Sequence, residues 1–268
     1  INVPTGKDSL SMKQKYKDGE VISPGTVIIS AAGNCSEITK VVEPLLKVDG
    51  GNIYYINISQ DEFKLGGSSF NQVLNTIGNE APDVKNSAFV KNTFNTIQDL
   101  IKADKISAGH DVASGGLITT LLELCFADVN LGADFDISSL NEEDSIKVLF
   151  SENSGIVFQA GASVEPILSE NNIEFFTIGT ANDSGKVTIK NNQDNFSFDV
   201  TEMRDVWYKT SYLLDQKQTA NGLAKNRFDN YKKQPLQYSF PTQFTGKLAD
   251  TVGSITKRPK AAIIREKG

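Results

Sequence analysis

Residues 106–128 read ISAGHDVASGGLITTLLELCFAD, and no other stretch restricts the fold as much. Ile106–Asp111 is short and apolar enough for a strand that stops at a His-Asp pair. Gly115 and Gly116 then open an apolar run over 115–128, which predicts a helix buried on most sides. A strand that feeds such a helix through a glycine-bearing turn calls for a sheet with helices packed on it. His110, the single histidine in 268 residues, stands at that junction.

The rest of the chain supplies partners. TVIISAAG (26–33) and IYYINIS (53–59) predict buried strands. SEITKVVEP predicts a short helix with Ser36 as N-cap and Pro44 closing it. LGGSSFNQVLNTIG (65–78) predicts a helix with Phe70, Val73, Leu74 and Ile77 on one face. Residues 87–103 predict another, with Val90, Phe94, Ile97 and Ile101 as the stripe and Ser87 as cap. VLFSENSGIVFQA (148–160) reads as one strand with a polar interruption, and EPILSEN as a short helix. FFTIGTA (175–181) and KVTIK (186–190) predict strands joined by a turn at Asp183-Ser184-Gly185. Residues 196–216 turn helical around Val206, Trp207 and Leu213, and 215–245, rich in Gln, Asn and Lys, read as an exposed extension or linker. Hairpin-like strand pairs mixed with helices predict an α+β fold, a mixed β-sheet with helices packed on it and a helical or irregular C-terminal extension.

Charge and composition remove several function classes. No apolar run approaches the roughly 18–20 residues that span a bilayer, so no membrane role is expected. The net charge of −6 argues against binding nucleic acid; the dense basic stretch Lys257-Arg258-Pro259-Lys260 is short and near the end. Two distant cysteines form no disulfide framework, which points to a reducing cytosol and a cytoplasmic location. Cys125 sits in an apolar helical run and reads as core. Both ends look cut: the chain starts at Ile1 without a signal-peptide pattern and ends at RPKAAIIREKG, where AAII opens a buried strand. A segment of a larger polypeptide is the expectation.

Three glycine-bearing loops carry the chemistry. A turn such as Ser114-Gly115-Gly116 presents backbone N–H groups and the positive end of a helix dipole, which suit a phosphate. Asp111 just ahead of it suits Mg²⁺, a hard cation that takes carboxylate and phosphate oxygens. His110 reads as an acid–base group or a hydrogen-bonding brace. The plain alternative is that Asp111 caps the helix and the glycines allow close packing. Gly66-Gly67-Ser68 is a second phosphate cradle by the same logic, with tight packing as its alternative. PTGKDS (4–9) is a third, in which Lys7 and Asp8 beside a glycine meet a phosphate and a metal, though a Gly-Lys-Asp surface turn is common. That loop lacks the spacing of a Walker A motif.

Taken together, PTGKDSLSMK, SPGTVIISAAG, LGGSSFNQVLNTIGNEAPDV, GHDVASGGLITTLLELCFAD and LFSENSGIVFQ resemble, in order and spacing, the phosphoribosylformylglycinamidine synthase family of the large single-chain type. The likeness runs from residue 1 to about 190 and resumes at RPKAAIIREKG, which resembles the first strand of that family's glutaminase domain. The C-terminal lobe of aminoimidazole ribonucleotide synthetase is a more distant relative of the same fold. The resemblance implies a tail of a preceding N-terminal-type lobe at 1–22 and a synthetase C-terminal-type lobe at 23–192. It further implies a helical extension and linker at 193–257 and the start of a glutaminase domain at 258–268. It implies an ATP- and glutamine-dependent C–N ligase of purine biosynthesis, with upstream synthase lobes and the glutaminase domain as partners in the same chain. Asp111 becomes a Mg²⁺ ligand at an ATP/ADP site, with its other ligands upstream of Ile1. Where the family often has a nucleotide-touching serine this chain has Ala113, so that contact falls to Ser114 or the backbone. No catalytic residue is expected here, and the isolated segment is expected to be inactive, with a homodimer through the lobe surface as a further expectation. An aminoimidazole ribonucleotide synthetase-like enzyme and a non-catalytic docking lobe are the alternatives.

Overall fold

Apolar side chains occupy both parities of Ile53-Tyr54-Tyr55-Ile56, so a strand there must be covered on both faces. The computed structural model describes residues 2–8, 13–22, 27–35, 37–233 and 239–247. The chain divides into two units, residues 1–39 with 239–268, and residues 40–238. In the first, β1 (Asn2–Asp8) pairs antiparallel with β4 (Val27–Ala32), and β2 (Lys13–Tyr16) with β3 (Gly19–Ile22). PTGKDS is therefore largely strand rather than a turn; Lys7 lies opposite Ile28, and its side chain is outside the described residues. Ile38 N–H donates to the Gly246 carbonyl at 2.7 Å.

The second unit is built on β5 (Asn52–Asn57), β6 (Ile106–Asp111), β7 (Gly132–Asp136), β8 (Gly155–Ala160), β9 (Phe176–Asn182), β10 (Lys186–Asn191) and β11 (Asp194–Asp199). These form one seven-stranded sheet in the order β11-β10-β7-β9-β5-β8-β6. Its neighbours run antiparallel except the parallel pair β7 and β10, so the sheet is mixed. Among the helices are α1 (Ser69–Val73), α2 (Ser87–Lys102), α3 (Gly116–Phe126), α4 (Ser145–Phe150), α5 (Glu165–Glu170), α6 (Val200–Gln218) and α7 (Leu223–Asn230). Tyr54, Ile56 and Phe158 pack with Phe89, Ile97 and Leu100 of α2 and Leu168 of α5. Ile53, Tyr55 and Val157 belong to a second core with Leu117, Leu121 and Leu124 of α3 and Val148 and Leu149 of α4. The alternating parity of β5 and β8 thus separates two cores, and the α+β expectation holds.

Several local expectations are corrected. Residues 37–47 hold no helix, and the cap assigned to Ser36 falls outside the described residues. The helix expected over 65–78 stops after five residues, because Asn75 takes a left-handed φ of 56° and the Thr76 amide turns back to the Asn71 carbonyl at 2.9 Å. Val73, Leu74 and Ile77 consequently stand exposed, at 76%, 56% and 76%. The cap of α2 is Asn86, whose side chain accepts from the amides of Ala88 and Phe89, so the helix begins rather than caps at Ser87. Its buried face carries Phe89, Thr93, Thr96, Ile97 and Leu100, rotated from the expected stripe, and Phe94 faces out. Residues 148–160 are two elements: Asp144 caps α4, which ends at Phe150, and 151–154 loop into β8. Asp183-Ser184-Gly185 does connect β9 to β10, yet β7 lies between them, so they are no hairpin. The described residues of 215–245 are mostly exposed, but they contain α7, whose Ala224 is buried and whose Phe228 stacks on Tyr212 at 4.6 Å. Among the described residues no helix is long and apolar enough to cross a membrane.

Candidate functional site

The strand β6 is the edge of the sheet, paired among the described residues on one side only, to β8. Asp111, its last residue, points its carboxylate into solvent with the side chain 79% exposed. Its carbonyl oxygen accepts from Thr120 Oγ1 at 3.1 Å and lies 2.7 Å from His110 Nδ1. The chain then turns through Ala113 and Ser114, both exposed, and the Gly116 amide donates to the Ala113 carbonyl at 3.0 Å. Gly115 and Gly116 have φ of 93° and 75°, a left-handed region that side chains resist. A Cβ on Gly116 would stand 2.7 Å from the Leu149 carbonyl oxygen, so close packing on α4 also demands glycine. The helix α3 has no side-chain cap, so Asp111 is not its cap. At the far end of the same helix Cys125 is buried, and burial pushes its thiol up to about 12.

The second glycine loop ends beside the first. Gly66 N–H donates to the Glu80 carbonyl at 2.7 Å and Gly67 N–H to the Ile77 carbonyl at 2.7 Å, so both amides are engaged within the loop. Ser68 is buried; its hydroxyl donates to the Leu65 carbonyl at 2.7 Å and caps α1. The next amide, Ser69 N–H, donates to Glu152 Oε1 at 2.8 Å, and Gly115 N–H donates to the same oxygen at 2.8 Å. One carboxylate therefore occupies the convergence of the two loops. Glu152 was not expected from the sequence; its signal was the polar interruption Ser151-Glu152-Asn153 between two apolar runs.

Behind Glu152 lies a polar cluster. Asn153, 1% exposed, donates through Nδ2 to Ser59 Oγ and to the carbonyls of Asp61 and Glu62. Burial pushes the Asp61 carboxyl up, but Lys64 at 2.9 Å and the amides of Asp83 and Glu62 outweigh it and hold the group down at about 2. A cleft of about 580 Å³ opens beside Asp61, also lined by Glu62, Lys85, Glu142 and Glu174. Its buried carboxylate, Asp61, is already satisfied by internal donors, whereas Asp111 is not among the lining residues and presents an exposed one. The Asp111 turn is therefore the better candidate for an external ligand. Among the described residues no group of three or more His, Cys, Asp or Glu side chains converges as a metal site. A single exposed carboxylate suits Mg²⁺, which is often held by one or two carboxylates with phosphate and water completing the shell, although the amides of Gly115 and Gly116 are already engaged by Glu152 and the Ala113 carbonyl.

A mixed sheet covered by helices, with its glycine-bearing strand-to-helix turn at an open edge, defines the class of lobe. The match to known proteins is specific: residues 52–191 match the family described as AIR synthase related protein, C-terminal domain, and the chain belongs to it. It is 34% identical to "Probable phosphoribosylformylglycinamidine synthase, chloroplastic/mitochondrial" of Arabidopsis thaliana, over 100% of this chain and 19% of the relative. It is 31% identical to phosphoribosylformylglycinamidine synthase of Dictyostelium discoideum, over 100% of this chain and 22% of the relative. The chain thus spans about a fifth of the length of the curated relatives it matches. Among solved structures, T. maritima PurL complexed with ATP shares 13% identity over 67% of this chain and 28% of that one, with a TM-score of 0.47.

Proposed function

We propose that this chain is a lobe of a phosphoribosylformylglycinamidine synthase and contributes the Asp111 turn to a Mg²⁺–nucleotide site. The observation that carries the reading is the exposed Asp111 carboxylate at the open end of β6, just ahead of the exposed Ser114 turn and an uncapped eleven-residue helix. The whole enzyme would convert formylglycinamide ribonucleotide, glutamine and ATP to the amidine, glutamate, ADP and phosphate. Magnesium, when bound, would neutralise phosphate charge and orient the nucleotide. Asp111 would supply one oxygen ligand, Ser114 a hydroxyl to a phosphate oxygen, and Gly115 and Gly116 a backbone surface that lets the phosphate approach. Gly66, Gly67 and Ser68 would serve the same site by holding the Ser69 amide on Glu152. Lys7, in the other unit, is assigned to anion binding on its chemistry alone.

Cys35 is exposed and Cys125 is buried within α3, and neither is assigned as a glutaminase nucleophile. The glutamine amidotransferase step is therefore assigned to the remainder of the full protein, with upstream lobes completing the metal shell. Equilibrium dialysis of labelled ADP with Mg²⁺ tests the reading, using a chain that carries the upstream lobe. Asp111→Asn is expected to weaken binding at least tenfold without altering the denaturation midpoint. Unchanged affinity in that variant overturns the assignment. The 268-residue chain alone is expected to release no glutamate from glutamine, and turnover above background overturns that part.

A further inference from the structure

The Asp111 turn is connected through side chains to α6, a helix distant in sequence. His110 Nδ1 lies 2.7 Å from the Asp111 carbonyl oxygen and 3.4 Å from Asp111 Oδ1, and its Nε2 lies 3.2 Å from Glu123 Oε2 on α3. The other oxygen of Glu123 accepts from Trp207 Nε1 of α6 at 2.7 Å. His110 and Glu123 are only 22% and 23% exposed, so the link between them is partly shielded from water, whereas Asp111 and Trp207 at the two ends are exposed. The indole is also fixed on its ring face: it packs on Phe126, with centroids 5.6 Å apart, and Arg204 of the same helix donates to the Phe126 carbonyl at 2.8 Å. A path of four residues, Asp111–His110–Glu123–Trp207, joined at Asp111 by both its carbonyl and its carboxylate, therefore links the turn to α6.

We infer that Glu123 is a positioning residue of the Asp111 site, through which α6 and the state of the Asp111 carboxylate are coupled. The inference rests on the nucleotide reading for its purpose but not for its geometry. A cation drawn to Asp111 takes up the carboxylate oxygen that lies 3.4 Å from His110 Nδ1, while the ring keeps the Asp111 carbonyl. His110 then leans on Glu123, and the Glu123 bond to the indole readjusts. Coupling between two sites is reciprocal, so a change made at Trp207 is felt at Asp111 by the same factor. The aromatic cluster of α6 and α7, where Tyr208 stacks on Tyr231 at 4.2 Å, makes the receiving element stiff rather than a loose strap.

Trp207 is the only tryptophan in the chain, so 5-fluorotryptophan labelling gives a single ¹⁹F line. The test is a mutant cycle read on that line in the 268-residue chain. Asp111→Asn is expected to shift it, and Glu123→Gln, which keeps the size of the side chain, is expected to abolish the Asp111→Asn shift. An Asp111→Asn shift of equal size in both backgrounds, or no shift at all, overturns the coupling. A merely structural Glu123 would move the line once and leave the Asp111 effect intact. In the longer chain, Trp207→Phe keeps the ring on Phe126 and removes the N–H; its affinity for Mg²⁺-ADP is expected to fall about three- to tenfold. Unchanged affinity there also overturns the inference. Failure of any Mg²⁺-ADP binding by the wild-type chain instead strikes the nucleotide reading, while the mutant cycle still reads the path.

Discussion

Two Gly-Gly pairs lead into helices in this lobe, and they end differently. Gly115-Gly116 opens an eleven-residue helix with eight buried residues, packed against α4 and the sheet. Gly66-Gly67 opens a five-residue helix with none buried, and the apolar residues after it face solvent. In the first pair both φ values are positive and the second glycine touches backbone; in the second pair Gly67 is left-handed in open space, and Gly66 is the one pressed on a carbonyl. The glycine pair alone does not set the outcome. The residues C-terminal to it decide: a predominantly apolar run in one case, and in the other Asn71 and Thr76, whose side chains donate to backbone carbonyls, with a left-handed Asn75 that stops the helix.

That contrast can be broken by mutation. Gly116→Ala combines left-handed strain with a Cβ against the Leu149 carbonyl and is expected to cost about 3–4 kcal/mol in chemical denaturation. Glu152→Ala leaves the amides of Ser69 and Gly115 without their shared acceptor, an expected loss of about 2 kcal/mol, with Glu152→Gln recovering more than half. Asp61→Asn, which loosens the hold of that side chain on Lys64 and on the Asp83 amide within the 59–85 loop, is expected to cost about 1–2 kcal/mol at neutral pH. The sign of its pH dependence comes from a carboxyl lowered from 3.8 to about 2 on folding: the stabilisation is complete above about pH 4 and is lost as pH falls toward 2. Denaturation midpoints of wild type and variant should therefore converge over that window. Gly67→Ala meets strain without collision and should lose only about 1 kcal/mol. Asp111→Asn, at an exposed side chain, should change stability by less than about 0.5 kcal/mol. A Gly67→Ala loss as large as that of Gly116→Ala would erase the distinction between the two turns.

The strand-turn-helix at 106–126 was legible because period and turn chemistry agree there: β6 and α3 fall where the residues place them. Asp111, Ser114 and the glycines were legible as types, but not the carboxylate that joins the two loops. Glu152 sits 37 residues from Gly115 and 83 from Ser69, and such contacts depend on the sheet order, which no local pattern carries. The α2 stripe was misplaced because Thr93 and Thr96, polar by type, are buried, while Phe94 is not. The linker reading of 215–245 missed α7, which gains its order from aromatic stacking on α6 rather than from composition.

The placement of β7 between β9 and β10 has a consequence for how this lobe can be cut or made. A strand from residues 132–136 is flanked by strands from 176–182 and 186–191, so neither side of any break between β8 and β9 owns a finished sheet. A nascent chain must release everything up to about residue 191 before both edges of β7 are covered, and until then those edges are free to pair with the wrong neighbour.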